Sequence, residues 1–304
     1  MDWDIPETAT GTYVNINGEL VAAEDATASL LDRNFLYSDG VFDSIPVADD
    51  KVILVDRHID RLFRSMRAMK IDVPLSKEAL KDRLVETLEA SDVGYGVARI
   101  VASRGVGPQG IANTDAVEGP ILFVMPQRLS AETFGYDEVT TAKARIVSTA
   151  AIRPQAVEPR MKSTSYVNNV LAERELVGTD AEHAIMLDEH GHIAEAHIAN
   201  VLAFDEAGTL KTPPSTYALG GITREVLLER AAALGIETEV TTMTPYDLYT
   251  ADDVVLCSSR LVTSVTELSG QQLRESPSER LVDLADDFFA YIRENEYRAL
   301  SLSS

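Results

Sequence analysis

Residues 158–175 read EPRMKSTSYVNNVLAERE, and they put a lysine where a strongly acidic chain has little need of one. The protein has 7 lysines against 20 arginines. One of the seven, Lys162, stands at a junction between a loop and a helical run. Three hydroxyl residues, Tyr166 and the pair Asn168-Asn169 follow it. A primary amine can solvate a surface or form a covalent bond with a carbonyl, and the rest of the chain must decide between the two.

Working outward, 45% hydrophobic residues in 304 are enough to bury a sizeable core in one large domain or two ordinary ones. No apolar run reaches membrane-spanning length, and MDWDIPETATG lacks the basic and apolar regions of a secretory leader, so a cytoplasmic protein is expected. Cys257 is the only cysteine, which excludes an intrachain disulfide and a thiolate metal cluster. The 49 acidic against 27 basic residues leave a net charge of −22, which repels nucleic acid and anionic membranes. Scarce lysine with abundant Asp and Glu matches a halophilic protein, whose salt-rich cytoplasm screens the self-repulsion; an ordinary acidic enzyme is the alternative.

TYVNINGELV (12–21) alternates around Asn17-Gly18, the favoured type I′ pair, and predicts a hairpin. Strands are expected at 41–47 and 51–55, then a helix over 56–70 from apolar residues at 59, 62, 63, 66 and 69. Ser76 should cap a second helix reaching Ala90, and strands should follow at 97–103 and 121–125. PQRLSAETFGY (126–136) has no period and is the expected linker between a small α/β domain, 1–125, and a larger domain, 137–304. The latter should hold strands near 139–147, 183–188, 192–195, 199–204, 253–257 and 262–268, with helices over 164–178, 222–235 and 277–297. The class is mixed α/β, of the α+β kind.

Three further stretches make Lys162 more than a surface charge. LGGITREVLLERAAALG (219–235) opens a helix with two glycines, so its free N–H groups, its dipole and the Thr223 hydroxyl suit a phosphate. DRHIDRLFRSM (56–66) offers Arg61 as a fixed cation for the same anion. In HGHIAEAHIANVLAF (190–204), Glu195 sits among apolar and small residues, where a carboxylate is costly unless it meets a cation or a protonated nitrogen. His183, His190, His192 and His197 lack metal-ligand spacing, so no metal is expected. A lysine amine, a phosphate cradle and a buried acid together describe a site for pyridoxal 5′-phosphate.

In RMKSTSYVNNVLA (160–172), AEAHIANVLAF (194–204), TPPSTYALGGITRE (212–225) and HIDRLFRS (58–65), the chain resembles the class IV aminotransferases, the fold-type IV pyridoxal phosphate enzymes. The resemblance spans Val14 to Phe289. It implies two α/β domains with the cofactor between them, and a homodimer whose partner loop helps to close each site. By it, Lys162 matches the lysine that condenses with the cofactor aldehyde and shuttles the proton. Glu195 matches the acid at the pyridine nitrogen; Arg61, Ile222, Thr223 and Ser258 match phosphate binders; Tyr166 matches the tyrosine near the phenolic oxygen. Phe42, Arg99, Ser259 and Arg260 fall at substrate positions. Arg99 and Arg260 compete for the carboxylate of an acceptor such as 2-oxoglutarate. Phe42-Asp43-Ser44-Ile45-Pro46 departs from the usual Phe-Glu-Gly-Ile-Arg of branched-chain enzymes, and Ser38-Asp39 with Asp43 resembles (R)-amine transaminases, whereas KSTSYVNN resembles the branched-chain type. The implied activity is a branched-chain-type transaminase. Aminodeoxychorismate lyase and an (R)-amine or D-amino-acid transaminase remain open on the same scaffold.

Overall fold

The computed structural model describes residues 12–131, 137–295 and 297–302; part of the expected linker, 132–136, lies outside them. In chain order the elements begin β1 (Tyr13–Ile16), β2 (Glu19–Ala22), α1 (Arg33–Tyr37), β3 (Gly40–Ala48), β4 (Lys51–Ile53), α2 (Val55–Met69), α3 (Lys77–Ala90), β5 (Gly96–Ser103) and β6 (Ile121–Arg128). They continue β7 (Thr140–Ile146), α4 (Val167–Arg174), β8 (His183–Leu187), β9 (Ile193–Ala196), β10 (Asn200–Phe204), β11 (Leu210–Thr212), α5 (Ile222–Ala233), β12 (Thr238–Val240) and α6 (Pro245–Tyr249). The chain finishes with β13 (Asp253–Ser258), β14 (Leu261–Leu268), β15 (Gln271–Gln272), α7 (Glu279–Asn295) and β16 (Tyr297–Ala299).

Two compact units emerge, and they do not follow a single cut in the chain. The first takes residues 1–134, 161–165 and 292–304; the second takes 135–160 and 166–291. Residues 126–128, expected in the linker, extend β6.

In the first unit the strands run β16-β4-β3-β5-β6-β1-β2. The β1–β2 hairpin turns through Asn17 and Gly18, both at positive φ as a type I′ turn requires. Ser76 caps α3, its hydroxyl accepting the Ala79 N–H at 3.1 Å. The apolar faces of α2 (Ile59, Leu62, Met66) and α3 (Leu80, Leu84, Leu88) join one core with Val41, Ile45, Ile100 and Val124 of the sheet.

The second unit is built on a sheet ordered β12-β11-β10-β13-β14-β7-β8-β9, with β15 paired to β14. One core holds Val201, Ala203, Leu256, Val265 and Leu248. Another holds Ala172 of α4 with Ala184, Met186 and Ala194.

The helix expected over 164–178 is cut at both ends. Residues 162–164 instead lie extended along β3: the Phe42 N–H donates to the Lys162 carbonyl at 2.9 Å and the Thr164 N–H to the Gly40 carbonyl at 3.0 Å. α4 stops at Arg174, after which the backbone tightens into shorter-range hydrogen bonds, Glu175 N–H to Ala172 and Leu176 N–H to Glu173, and the Glu175 carboxylate binds residues 148 and 149. It accepts the N–H and hydroxyl groups of Ser148 and Thr149 at 2.6–2.9 Å, which hold its pKa down at about 2. At the N-terminal end tertiary partners outweighed helical propensity.

Candidate active site

In the first unit the site residues gather around β3. Lys162 is fixed by its backbone, whose N–H donates to the Ser65 hydroxyl of α2 at 3.2 Å while its carbonyl accepts from Phe42. This leaves the side chain to be directed by the strand register. Its Nζ lies 4.7 Å from the centre of the Phe42 ring, and the Arg99 guanidinium lies 4.8 Å from the same ring. Phe42 pairs with Val101 across the β3–β5 ladder and Ser44 pairs with Arg99, so strand register brings lysine, aromatic ring and arginine together. Arg99 is exposed although its neighbours Ala98 and Ile100 are buried, as alternation on a strand requires.

Arg61 has a partner that sequence reasoning missed. Its Nε and Nη2 donate to Asp43 at 2.9 and 2.8 Å, and His58 Nδ1 lies 2.7 Å from the same carboxylate. Asp43 is wholly buried, and His58 and Arg61 are nearly so. Burial by itself would raise the Asp43 pKa, but the Arg61 charge and the His58 ring outweigh it and hold the carboxyl well below its usual range. Burial is also the largest influence on His58, which is pushed below its usual value despite the carboxylate beside it. A neutral His58 donates from Nδ1, so its Nε2 is an acceptor, buried and without a hydrogen-bond partner among the described residues. The signal was available: Asp43 alternates inward on β3, and His58 and Arg61 are three apart on one helix face.

The second unit carries the remaining set. Glu195 on β9 is half-buried, and its Oε2 accepts the Leu219 N–H at 2.9 Å. Gly221 is the N-cap of α5 and provides no side-chain cap, so the first turn presents backbone N–H groups from Ile222 onward. The Thr223 hydroxyl donates to the Ser258 carbonyl at 2.8 Å, which ties this helix start to the end of β13. Ser259 and Arg260 form the tight turn from β13 to β14, where the Arg260 N–H donates to the Ser258 hydroxyl at 3.4 Å. Tyr166 is the half-buried N-cap residue of α4. The His183 and His197 rings lie 5.7 Å apart between centres, tilted by 43°, and the Ala184 N–H donates to His197 Nδ1. Among the described residues no group of three His, Cys, Asp or Glu is placed to hold a metal.

Taken unit by unit, the donor chemistry suits pyridoxal phosphate: the first unit offers an amine against an aromatic ring, and the second a carboxylate oriented by a backbone N–H and a helix start without a side-chain cap. The class IV amino-transferase family profile matches residues 40–268. A Methanocaldococcus jannaschii protein, provisionally described as a branched-chain-amino-acid aminotransferase, is 32% identical over 285 residues, covering 92% of this chain and 96% of its own. The aminodeoxychorismate lyase of Bacillus subtilis is 29% identical over 274 residues, covering 87% and 91%. The crystal structure of a branched-chain aminotransferase from Thermoproteus uzoniensis with norvaline superposes with a TM-score of 0.84 at 27% identity, covering 94% of this chain and 96% of that one. The chain belongs to the class IV aminotransferase family. Pyridoxal 5′-phosphate is the cofactor of that family and of this enzyme.

Proposed function

We propose that the protein is a transaminase of the branched-chain type, moving an amino group from an apolar amino acid to an α-keto acid such as 2-oxoglutarate. The observation that carries this reading is the Phe42 ring, with the Lys162 amine and the Arg99 guanidinium both within 5 Å of its centre. An apolar surface beside a cation suits a pocket that takes an aliphatic side chain in one half-reaction and a second carboxylate in the other.

When bound, the cofactor supplies an aldehyde that takes up the amino group and a pyridinium ring that accepts the electron pair of the substrate Cα–H bond. Lys162 would be the base that carries the proton between substrate Cα and cofactor C4′. Glu195 keeps the pyridine nitrogen protonated, its carboxylate oriented by the Leu219 N–H. Arg61, the Ile222 N–H, the N–H and hydroxyl of Thr223, and the Ser258 hydroxyl are assigned to the phosphate. Tyr166 is assigned to the phenolic oxygen, and Phe42 with Ser259 to the substrate. Arg99 or Arg260 binds the acceptor's second carboxylate.

A lyase is the second reading, favoured by the Bacillus subtilis relative. A panel of amino donors with 2-oxoglutarate separates them: a transaminase needs the keto acid and forms glutamate, whereas the lyase releases pyruvate without an acceptor. We further propose a cytoplasmic homodimer adapted to high salt. The net charge of −22 supports the salt adaptation, and the exposed apolar residues Val167, Val170, Leu171 and Val177 support self-association.

A further inference from the structure

Asn200, the first residue of β10, has no place in the roles above, yet it touches the segment that joins two of them. It is buried, and its backbone is held in register against Cys257 in the β10–β13 ladder. Its Nδ2 donates to the Leu219 carbonyl at 2.8 Å. The N–H of that same leucine donates to Glu195 Oε2 at 2.9 Å. On its other side the Asn200 amide lies against Gly221, so closely that a methyl group there would meet Oδ1 at 1.7 Å. Gly221 is the N-cap of α5, at φ −73°. Any residue can adopt that φ, so the glycine is required by the approach of Asn200 and not by backbone strain.

The turn between the two strands supports the same arrangement. Residues 196 and 199 exchange backbone hydrogen bonds, Ala196 N–H to Ala199 at 2.8 Å and Ala199 N–H to Ala196 at 3.4 Å. Glu195 and Asn200 are therefore fixed relative to each other on either side of a closed turn. The three residues Leu219 to Gly221 are then clamped between them.

We propose that Asn200 is a positioning residue that sets both ends of the cofactor-binding apparatus in this unit at once. Through Leu219 it fixes the amide that orients Glu195, and through its packing on Gly221 it fixes the first turn of α5. This rests on the assignment of Glu195 to the pyridine end and of the α5 start to the phosphate end. Its consequence is a coupling: displacing Asn200 loosens recognition of two chemically unrelated halves of one ligand, which neither Glu195 nor Thr223 does alone.

The test uses the full-length apoenzyme in molar potassium chloride with two probes, pyridoxal, which lacks the phosphate, and inorganic phosphate. Binding is followed by absorbance for pyridoxal and by calorimetry for phosphate. Asn200→Asp keeps the shape but replaces the donor with a carboxylate facing the Leu219 carbonyl. It is expected to weaken both probes at least tenfold. Glu195→Gln should weaken pyridoxal alone, and Thr223→Ala phosphate alone. An Asn200→Asp protein that loses only one probe, or neither, overturns the coupling. Silent Glu195→Gln and Thr223→Ala variants would instead overturn the assignment of the two ends, and the coupling with it. A double-mutant cycle covers the case in which Asn200→Asp folds poorly. Gly221→Ala should abolish phosphate binding in the wild-type background and lose markedly less in an Asn200→Ala background, where its clash partner is gone. Equal losses in both backgrounds overturn the proposal.

Discussion

Replacing Asp43 by asparagine tests the charge balance beneath Arg61. The carboxylate is wholly buried and receives two hydrogen bonds from Arg61 and one from His58, at 2.7–2.9 Å. Asparagine keeps the shape but removes the charge. It also turns an NH2 group toward at least one of these donors, leaving a guanidinium only 5% exposed without its counter-ion. Breaking a buried pair in this way costs about 3–5 kcal/mol. For a unit of this size that lowers Tm by about 10 °C, at about 2–4 °C per kcal/mol. The assay is urea unfolding of the apoenzyme followed by far-ultraviolet circular dichroism, at neutral pH in molar salt. The sign of the pH dependence adds a second check. Asp43 has its folded pKa depressed, so its contribution is present above the ordinary carboxylate value and is lost as pH falls toward the folded one. The deficit of Asp43→Asn relative to wild type should therefore shrink in acid. A loss below about 1 kcal/mol, or a deficit that stays constant as the medium is acidified, would refute the ionised and paired Asp43.

Lys162→Ala should abolish amino transfer and the adduct trapped by borohydride; a variant that retains either removes Lys162 from the chemistry. Arg99→Leu should raise the KM for 2-oxoglutarate far more than that for an aliphatic amino acid, because only the diacid makes the charge-assisted contact, and a selective effect from Arg260→Leu instead would move the role there. His58, His183 and His197 all have pKa values lowered by burial, so the unfolded chain binds more protons than the native one below its ordinary histidine pKa. Stability present above about pH 6.5 should then fall with pH by up to about 1.4 kcal/mol per pH unit for each histidine. His183→Phe removes a buried Nδ1 that has no hydrogen-bond partner among the described residues, so urea unfolding between neutral and mildly acid pH should show a shallower slope; an unchanged slope counts against its buried neutral state. Molar potassium chloride should raise Tm through screening of the net −22 charge, and a Tm indifferent to salt would point to an ordinary acidic enzyme.

Local signals made much of the chain legible. Asn17-Gly18 specified its turn through the positive φ that both residues adopt, and Ser76 specified a helix start through one side-chain hydrogen bond. The apolar spacing of α2 survived because the stripe that makes the period also faces the core. Short elements with little periodicity were not legible: α1, β11, β12, α6 and β16 span three to five residues each, too few for a pattern to emerge. The partners of the proposed site residues were hidden as well. Asp43 and Arg61 are 18 positions apart, and Glu195 and Leu219 are 24 apart, so only the folded chain shows that they meet.

By itself the sequence determined the residue types: one rare lysine with an amine to donate, a glycine pair before an amphipathic helix, and an acid in apolar company. Tertiary structure decided what each of them faces. The segment carrying Lys162 reads as a loop leading into a helix but pairs as a strand along β3. There, the hydrogen bonds offered by Gly40, Phe42 and Ser65 compete successfully with those of one helical turn. Helical propensity differs by less than about 1 kcal/mol per residue for most side chains, so a few well-placed long-range hydrogen bonds are enough to override it.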